Sequence, residues 1–214
     1  QAFADFYSLP IEQVPENPLD LFHQRTHKNQ WAENTKPHVI LIMMESFGGH
    51  WIEYQSPSFN LLGSLETHLR EDLWLKNFLP SASSTTGSLS SIMISSPHRP
   101  IGNFLTESEY MQVPFRSSPA RVYSKAGYET HFVYGGNPGW RDMNKFARFQ
   151  GFDHVAGDVD MEAKLGFFKE KHDWGVFDHD VFRYVKSILQ EATKPQMILV
   201  MTTSNHPPYQ IPSD

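Results

Sequence analysis

The sequence predicts an α/β domain built on a mostly parallel central sheet, with helices on both faces. Val39–Met44 and Met197–Met201 are short, continuously apolar runs rich in strand formers, the pattern of strands covered on both faces. Thr130–Tyr134, which ends in Phe132-Val-Tyr134, reads as a third strand, and stretches with helical spacing lie between the three.

Residues 1–36 hold Pro10, Pro15 and Pro18 and a polar tract from His23 to Thr35 without a sustained period, so they read as an arm or linker laid on the surface of a domain spanning 37–214. The first strand, expected at the centre of the sheet, stops abruptly at Glu45. A carboxylate at the carboxyl end of a buried strand is costly unless it is paired or binds a metal, and that edge of an open α/β sheet is where ligands sit. Glu45 is therefore the first candidate site residue. The structural alternative is a carboxylate that opens a solvated loop or bonds a nearby helix N-terminus.

Ser58 is positioned to cap a helix carrying Phe59, Leu62, Leu65 and Leu69, and Leu73–Leu79 reads as a strand stopped by Pro80. The hydroxyl-dense loop from Ser81 runs into Leu89, Ile92 and Met93 at helical spacing, which starts a helix near Thr85. Its free N–H groups and positive dipole end favour an anion such as phosphate or sulfate. An ordinary Ser/Thr cap would look the same.

Ser95–Ser117 is an irregular excursion. Ser118-Pro119 opens a helix that stops at Gly127, with Pro and Gly in their favoured places. After Thr130–Tyr134 comes Gly135-Gly-Asn-Pro-Gly-Trp140-Arg141-Asp142. In this loop Arg141 can fork two hydrogen bonds to a phosphate and the Trp140 indole can donate one; a structural Arg–Asp pair and a core Trp are the alternatives. Asp178 can cap a helix carrying Val181, Phe182, Val185, Ile188 and Leu189. The last strand ends in Thr202-Thr-Ser-Asn-His206-Pro-Pro-Tyr209, so His206 shares the sheet edge with Glu45, Thr85, Trp140 and Arg141.

At 214 residues the chain can hold one sizeable domain. A net charge of −6 and the absence of a long basic cluster argue against a nucleic-acid surface. The absence of cysteine removes disulfides, Cys–zinc sites and thiol nucleophiles together. No apolar run approaches transmembrane length, and residues 1–20 lack a signal-peptide pattern. The sequence opens on Gln1 and stops at Asp214 soon after a strand, so the domain is expected to be incomplete at its C-terminus.

Taken as an ordered set, Val39-Ile-Leu-Ile-Met-Met-Glu45-Ser46, Thr85-x-x-Ser88 with Ile92-Met93, Gly136-Asn137 with Trp140-Arg141-Asp142, Gly151-Phe-Asp153, Trp174-Gly175 with Asp178, and Thr203-Ser-Asn-His206-Pro-Pro-Tyr209 resemble the extracellular domain of lipoteichoic acid synthase-like phosphoglycerol transferases. These belong to the alkaline phosphatase and sulfatase superfamily. The resemblance covers about residues 37 to 212. It implies an extracytoplasmic catalytic domain, with membrane association through segments absent from this sequence. The implied reaction moves a phosphoglycerol-type headgroup from a phospholipid to a glycan or glycolipid hydroxyl through a covalent threonine intermediate.

Carried over residue by residue, the resemblance makes Glu45 a metal ligand and Thr85 the nucleophile and a further ligand. Trp140 and Arg141 become donors to the headgroup, and His206 a substrate-binding or proton-handling group. Thr86 is a rival nucleophile; Thr85 is preferred because Ser88, Ile92 and Met93 then fall at the family's offsets. The implied cofactor is one divalent ion, manganese first, with zinc or magnesium next. The family completes its metal site with a later Asp-His pair, which this sequence does not contain, and it carries a His where this chain has Gly135. Three other readings stand beside this one: a sulfatase, a phosphoethanolamine transferase, and a catalytically incomplete headgroup-binding domain. Threonine rather than Cys or Ser at the nucleophile position argues against the first, and the lack of cysteine argues against the second.

Overall fold

Four parallel strands in the order β1-β4-β2-β3 form the sheet in the computed structural model, which describes residues 29–75, 78–98 and 102–213 together with 10, 12 and 27. The chain divides into two units, 1–36 and 37–214. In the first, helix α1 (Gln30–Asn34) is capped by the Asn29 side chain, which accepts from the Trp31 and Ala32 amides. Most of the arm expected over residues 1–36 lies outside the described residues.

The second unit runs β1 (Val39–Met43), α2 (His50–Glu53), α3 (Leu65–Glu71), α4 (Thr85–Ile94), α5 (Pro119–Lys125), β2 (Glu129–Tyr134), α6 (Met143–Phe149), β3 (His154–Ala156), α7 (Asp158–Leu165), α8 (Asp178–Glu191) and β4 (Gln196–Met201). Alternate residues of β2 and β4 face opposite sides of the sheet, which gives it two cores. On one side Phe132, Tyr134, Met197 and Leu199 pack with Leu89 and Met93 of α4, Ala120 of α5, and Met143 and Phe146 of α6. On the other, Val133, Ile198 and Val200 pack with Met161 of α7 and with Val181 and Val185 of α8. Helices on both faces of a parallel sheet are the architecture that the buried strand patterns predict.

Helix α4 shows how a Ser-rich string becomes a buried helix. The Ser84 hydroxyl accepts from the Gly87 amide at 3.2 Å and caps the first turn. Ser90 and Ser91 donate back to the Thr86 and Gly87 carbonyls, each at 2.8 Å, so their hydroxyls enter the core already satisfied. The helix begins at Thr85, as its spacing predicts.

Four expectations change. β1 lies at the margin of the sheet, paired with β4 alone among the described residues, and its Ile40, Leu41 and Ile42 are 41%, 42% and 43% exposed. A continuous apolar run reports that a strand is suited to cover on both faces; it carries no information about lateral position. β4, buried throughout, takes the central place.

The helix expected from Ser58 begins only at Leu65, because Ser56 and Phe59 close a tight turn by exchanging backbone hydrogen bonds. No strand forms in the described parts of 73–79, where Leu73, Leu75, Phe78 and Leu79 are exposed; residues 76 and 77 lie outside the described ones. Asp178 opens α8 without capping it: its Oδ1 accepts from the Thr203 and Ser204 amides at 2.8 and 3.0 Å, tying the helix to the loop after β4.

Candidate functional site

Three strand ends and one helix start converge at the carboxyl edge of the sheet. Glu45 follows β1, and its backbone is held from both sides by the loop after β4. The Glu45 amide donates to Thr202 Oγ1 at 2.9 Å, and Asn205 Nδ2 donates to the Glu45 carbonyl at 3.2 Å. Its carboxylate is thereby aimed at the start of α4. Thr85 Oγ1 donates to Glu45 Oε2 at 3.1 Å, and the Ser46 hydroxyl donates to Oε1 at 3.0 Å.

A small cavity of about 60 Å³ opens on this pair, lined by Glu45, Thr85, Tyr134, Trp140, Trp174 and His206 with Met201, Thr202 and Thr203. Thr86, the rival hydroxyl, is 3% exposed and does not line it. Tyr134 ends β2, and burial, then the charges of Glu45 and Asp158, push its phenol up to about 12. It therefore stays a neutral hydrogen-bond donor at the cavity wall.

The loop after β2 folds tightly against the segment 172–176. The Val176 amide donates to the Gly135 carbonyl at 2.8 Å. A Cβ on Gly136 would lie 2.2 Å from the Trp174 carbonyl oxygen, and one on Gly175, where φ is +143°, would lie 2.1 Å from the Gly135 oxygen. Both positions need glycine for this close approach. The contact brings Trp174 to the cavity, where its ring centroid lies 4.2 Å from that of His206. Trp174 Nε1 and His206 Nδ1 meet the Pro207 carbonyl at 3.1 and 2.8 Å. A carbonyl only accepts, so His206 carries its proton on Nδ1, and in the neutral ring Nε2 holds the lone pair.

Of the five residues singled out from sequence, Glu45, Thr85, Trp140 and His206 line one cavity. Arg141 does not. In a left-handed turn with φ 48°, its guanidinium pairs with Glu107 at 2.5 Å and lies over the Phe104 ring. Sequence reasoning did not single out Tyr134, Thr202 or Asn205, and it used Trp174 only as part of a pattern.

The cavity residues are oxygen donors beside aromatic walls at a helix start. A carboxylate and a hydroxyl 3.1 Å apart suit a hard divalent cation, so Glu45 and Thr85 fit as part of a metal site. Away from this edge, Glu129, His131 and His154 also place one possible ligand atom each within 4.8 Å of the others.

The sulfatase family model matches residues 37–214. The chain belongs to the sulfatase family. This sulfatase domain is 20% identical over 217 aligned residues to phosphoglycerol transferase I of Escherichia fergusonii, an alignment covering 96% of this chain and 25% of that protein. Its fold matches an alkaline phosphatase superfamily protein from Vibrio parahaemolyticus, with a TM-score of 0.70 and 21% identity over 83% of this chain and 43% of that one. It also matches the lipoteichoic acid synthase LtaP from Listeria monocytogenes, with a TM-score of 0.71 and 18% identity over 82% of this chain and 42% of that one. The sulfatase domain described here thus spans about a quarter of the curated relative and under half of the solved chains.

Proposed function

We propose that this chain is the nucleophile-bearing part of a metal-dependent, extracytoplasmic phosphoglycerol transferase. The observation that carries the reading is the Thr85 hydroxyl resting on the Glu45 carboxylate at the mouth of the cavity. Thr85 would attack the phosphorus of a phosphatidylglycerol-type lipid. Its Oγ–P bond would form as the P–O bond to diacylglycerol breaks, the threonine proton would pass to water, and His206 would deliver a proton from water to the departing oxygen. In the second half, a glycan or glycolipid hydroxyl displaces Thr85 and returns a proton to it.

Glu45 and Thr85 would hold a divalent cation, manganese in preference to zinc or magnesium. Such an ion lowers the pKa of a coordinated hydroxyl and offsets phosphate charge. The remaining work falls to the protein. The first turn of α4 presents positive dipole charge to the phosphate. Trp140 and Trp174 wall the headgroup, and Tyr134 supplies a neutral donor beside it. Arg141 would exchange Glu107 for the headgroup when substrate enters. His206, oriented by the Pro207 carbonyl, presents Nε2 to the leaving or arriving oxygen. Transfer to an envelope acceptor places the protein at the outer face of the cell membrane or in the periplasm, with membrane attachment through other segments.

Intact-mass analysis of the longer enzyme that carries this domain, after incubation with phosphatidylglycerol and manganese, tests the reading. A glycerophosphoryl adduct mapping to Thr85 is expected, absent from Thr85→Ala. A Thr85→Ala protein with full turnover would end it, as would turnover of an aryl sulfate in preference to the phosphodiester.

A further inference from the structure

The amino ends of β2 and β3 carry a second cluster of metal-ligating groups. Glu129 and His131 stand two residues apart on β2, so their side chains share one face of the sheet. His154 opens β3 directly opposite His131 in the register. The two imidazoles stack with centroids 4.6 Å apart and planes inclined by 21°, and the Glu129 Oε1 lies 2.9 Å from His154 Nε2. One candidate ligand atom from each of the three lies within 4.8 Å of the others. The cluster is distinct from the Glu45–Thr85 pair: Tyr134, which lines the cavity, ends the strand that Glu129 begins, about 16 Å away at a strand's rise per residue.

A supporting residue is already in place. Gln196, buried at the start of β4, donates from Nε2 to Glu129 Oε2 at 3.1 Å and to the Lys194 carbonyl at 2.9 Å. With its nitrogen spent on two acceptors, its Oε1 accepts from His131 Nε2 at 2.7 Å, which fixes that ring's tautomer and leaves Nδ1 with the lone pair. Metal-binding histidines are held by this kind of outer hydrogen bond.

We propose that Glu129, His131 and His154 bind a divalent transition-metal ion of the zinc class. Two imidazoles and one carboxylate give a nitrogen-rich set of intermediate softness, suited to zinc, cobalt or nickel and poorly suited to magnesium or calcium. Three protein ligands leave a position for water, and the site is open on that side: His131 is buried, whereas the His154 side chain is 53% exposed. Bound there, the ion would clip β3, a three-residue strand at the margin of the sheet, to its longer neighbour.

Calorimetric titration of the chelator-stripped chain with zinc tests the proposal, with the visible spectrum of the cobalt form as a second readout. A binding event is expected that Glu45→Ala leaves intact and that His154→Ala weakens by about tenfold or more. Glu129→Gln, which keeps a hydrogen-bonding side chain and removes the anionic ligand, should weaken it too and guards against a folding defect in His154→Ala. Zinc should also raise the melting temperature of Glu45→Ala and not that of the double variant Glu45→Ala/Glu129→Gln. Wild-type zinc affinity in both folded variants, or no binding event that survives Glu45→Ala, would overturn the proposal.

Discussion

Thr85 and Glu45, forty positions apart in the chain, are joined by a 3.1 Å hydrogen bond from the threonine hydroxyl to the carboxylate. Replacing Thr85 by Ala should lower transfer by about a thousandfold or more, the scale expected when a nucleophile is lost, with little change in thermal stability because the side chain is half-buried. Thr85→Ser should keep a measurable fraction of the rate. A Thr86→Ala variant should act mainly on stability, since that side chain is buried away from the cavity. Turnover assays paired with thermal melts separate the two positions.

The backbone of Glu45 depends on Thr202. Thr202→Val removes the acceptor for the Glu45 amide at a position only 2% exposed, which should cost about 1–3 kcal/mol in denaturant unfolding. It should also weaken manganese binding, because the carboxylate loses its fixed aim. Unaltered manganese affinity in a destabilised Thr202→Val chain would separate the backbone tether from the site.

Gly136 is fixed by the carbonyl of Trp174. A methyl group 2.2 Å from that oxygen cannot be accommodated without moving one of the two loops, so Gly136→Ala should destabilise by about 1–3 kcal/mol and displace Trp174 from His206. Trp fluorescence in the native state and urea unfolding would report the two effects separately.

Arg141 and Glu107 form an exposed pair, so breaking it should change stability by less than about 1 kcal/mol. Its effect on substrate should be larger. Arg141→Ala should raise KM for the lipid several-fold, and Glu107→Gln, which frees the guanidinium, should lower it. Steady-state kinetics on both variants would decide whether Arg141 reaches the headgroup.

Acid should weaken the fold through the amino end of the sheet. Burial, then the charge of His154, hold His131 below its usual value of 6.5, so below that pH the unfolded chain takes up more protons than the folded one. Stability therefore falls as pH drops from 6.5 toward the folded value. Glu129, held below the usual carboxylate range by hydrogen bonds from His154 and Gln196, acts in the same direction at lower pH: its contribution is present above 4.5 and is lost as pH falls through the folded value. Urea midpoints measured with chelator present should decline from pH 7 to 5, with a shallower decline in His131→Gln.

Much of the architecture was legible in the sequence because burial writes itself into periodicity. The runs Thr130–Tyr134 and Met197–Met201 and the amphipathic spacing of Val181 and Val185 fall on β2, β4 and α8 as expected. Lateral order was not legible. Val39–Met43 and Met197–Met201 have equivalent patterns, and only the pairing reveals that one is marginal and the other central.

The same gap hid Thr202, whose link to Glu45 follows from the register Met43↔Met201. Glu45, Thr85, Trp140 and His206 could be found because each follows a strand end or starts a helix. Whether Arg141 faces the cavity or Glu107 is set by a left-handed turn at a non-glycine residue, which leaves no compositional trace.

The outer side of β1 carries a further consequence. Strands of this length present a ladder of amides and carbonyls, and here that ladder borders side chains of isoleucine and leucine with no charge among them. Among the described residues no strand joins that rim, so alternate amides of β1 should exchange with deuterated solvent faster than those of β4, which is paired on both sides.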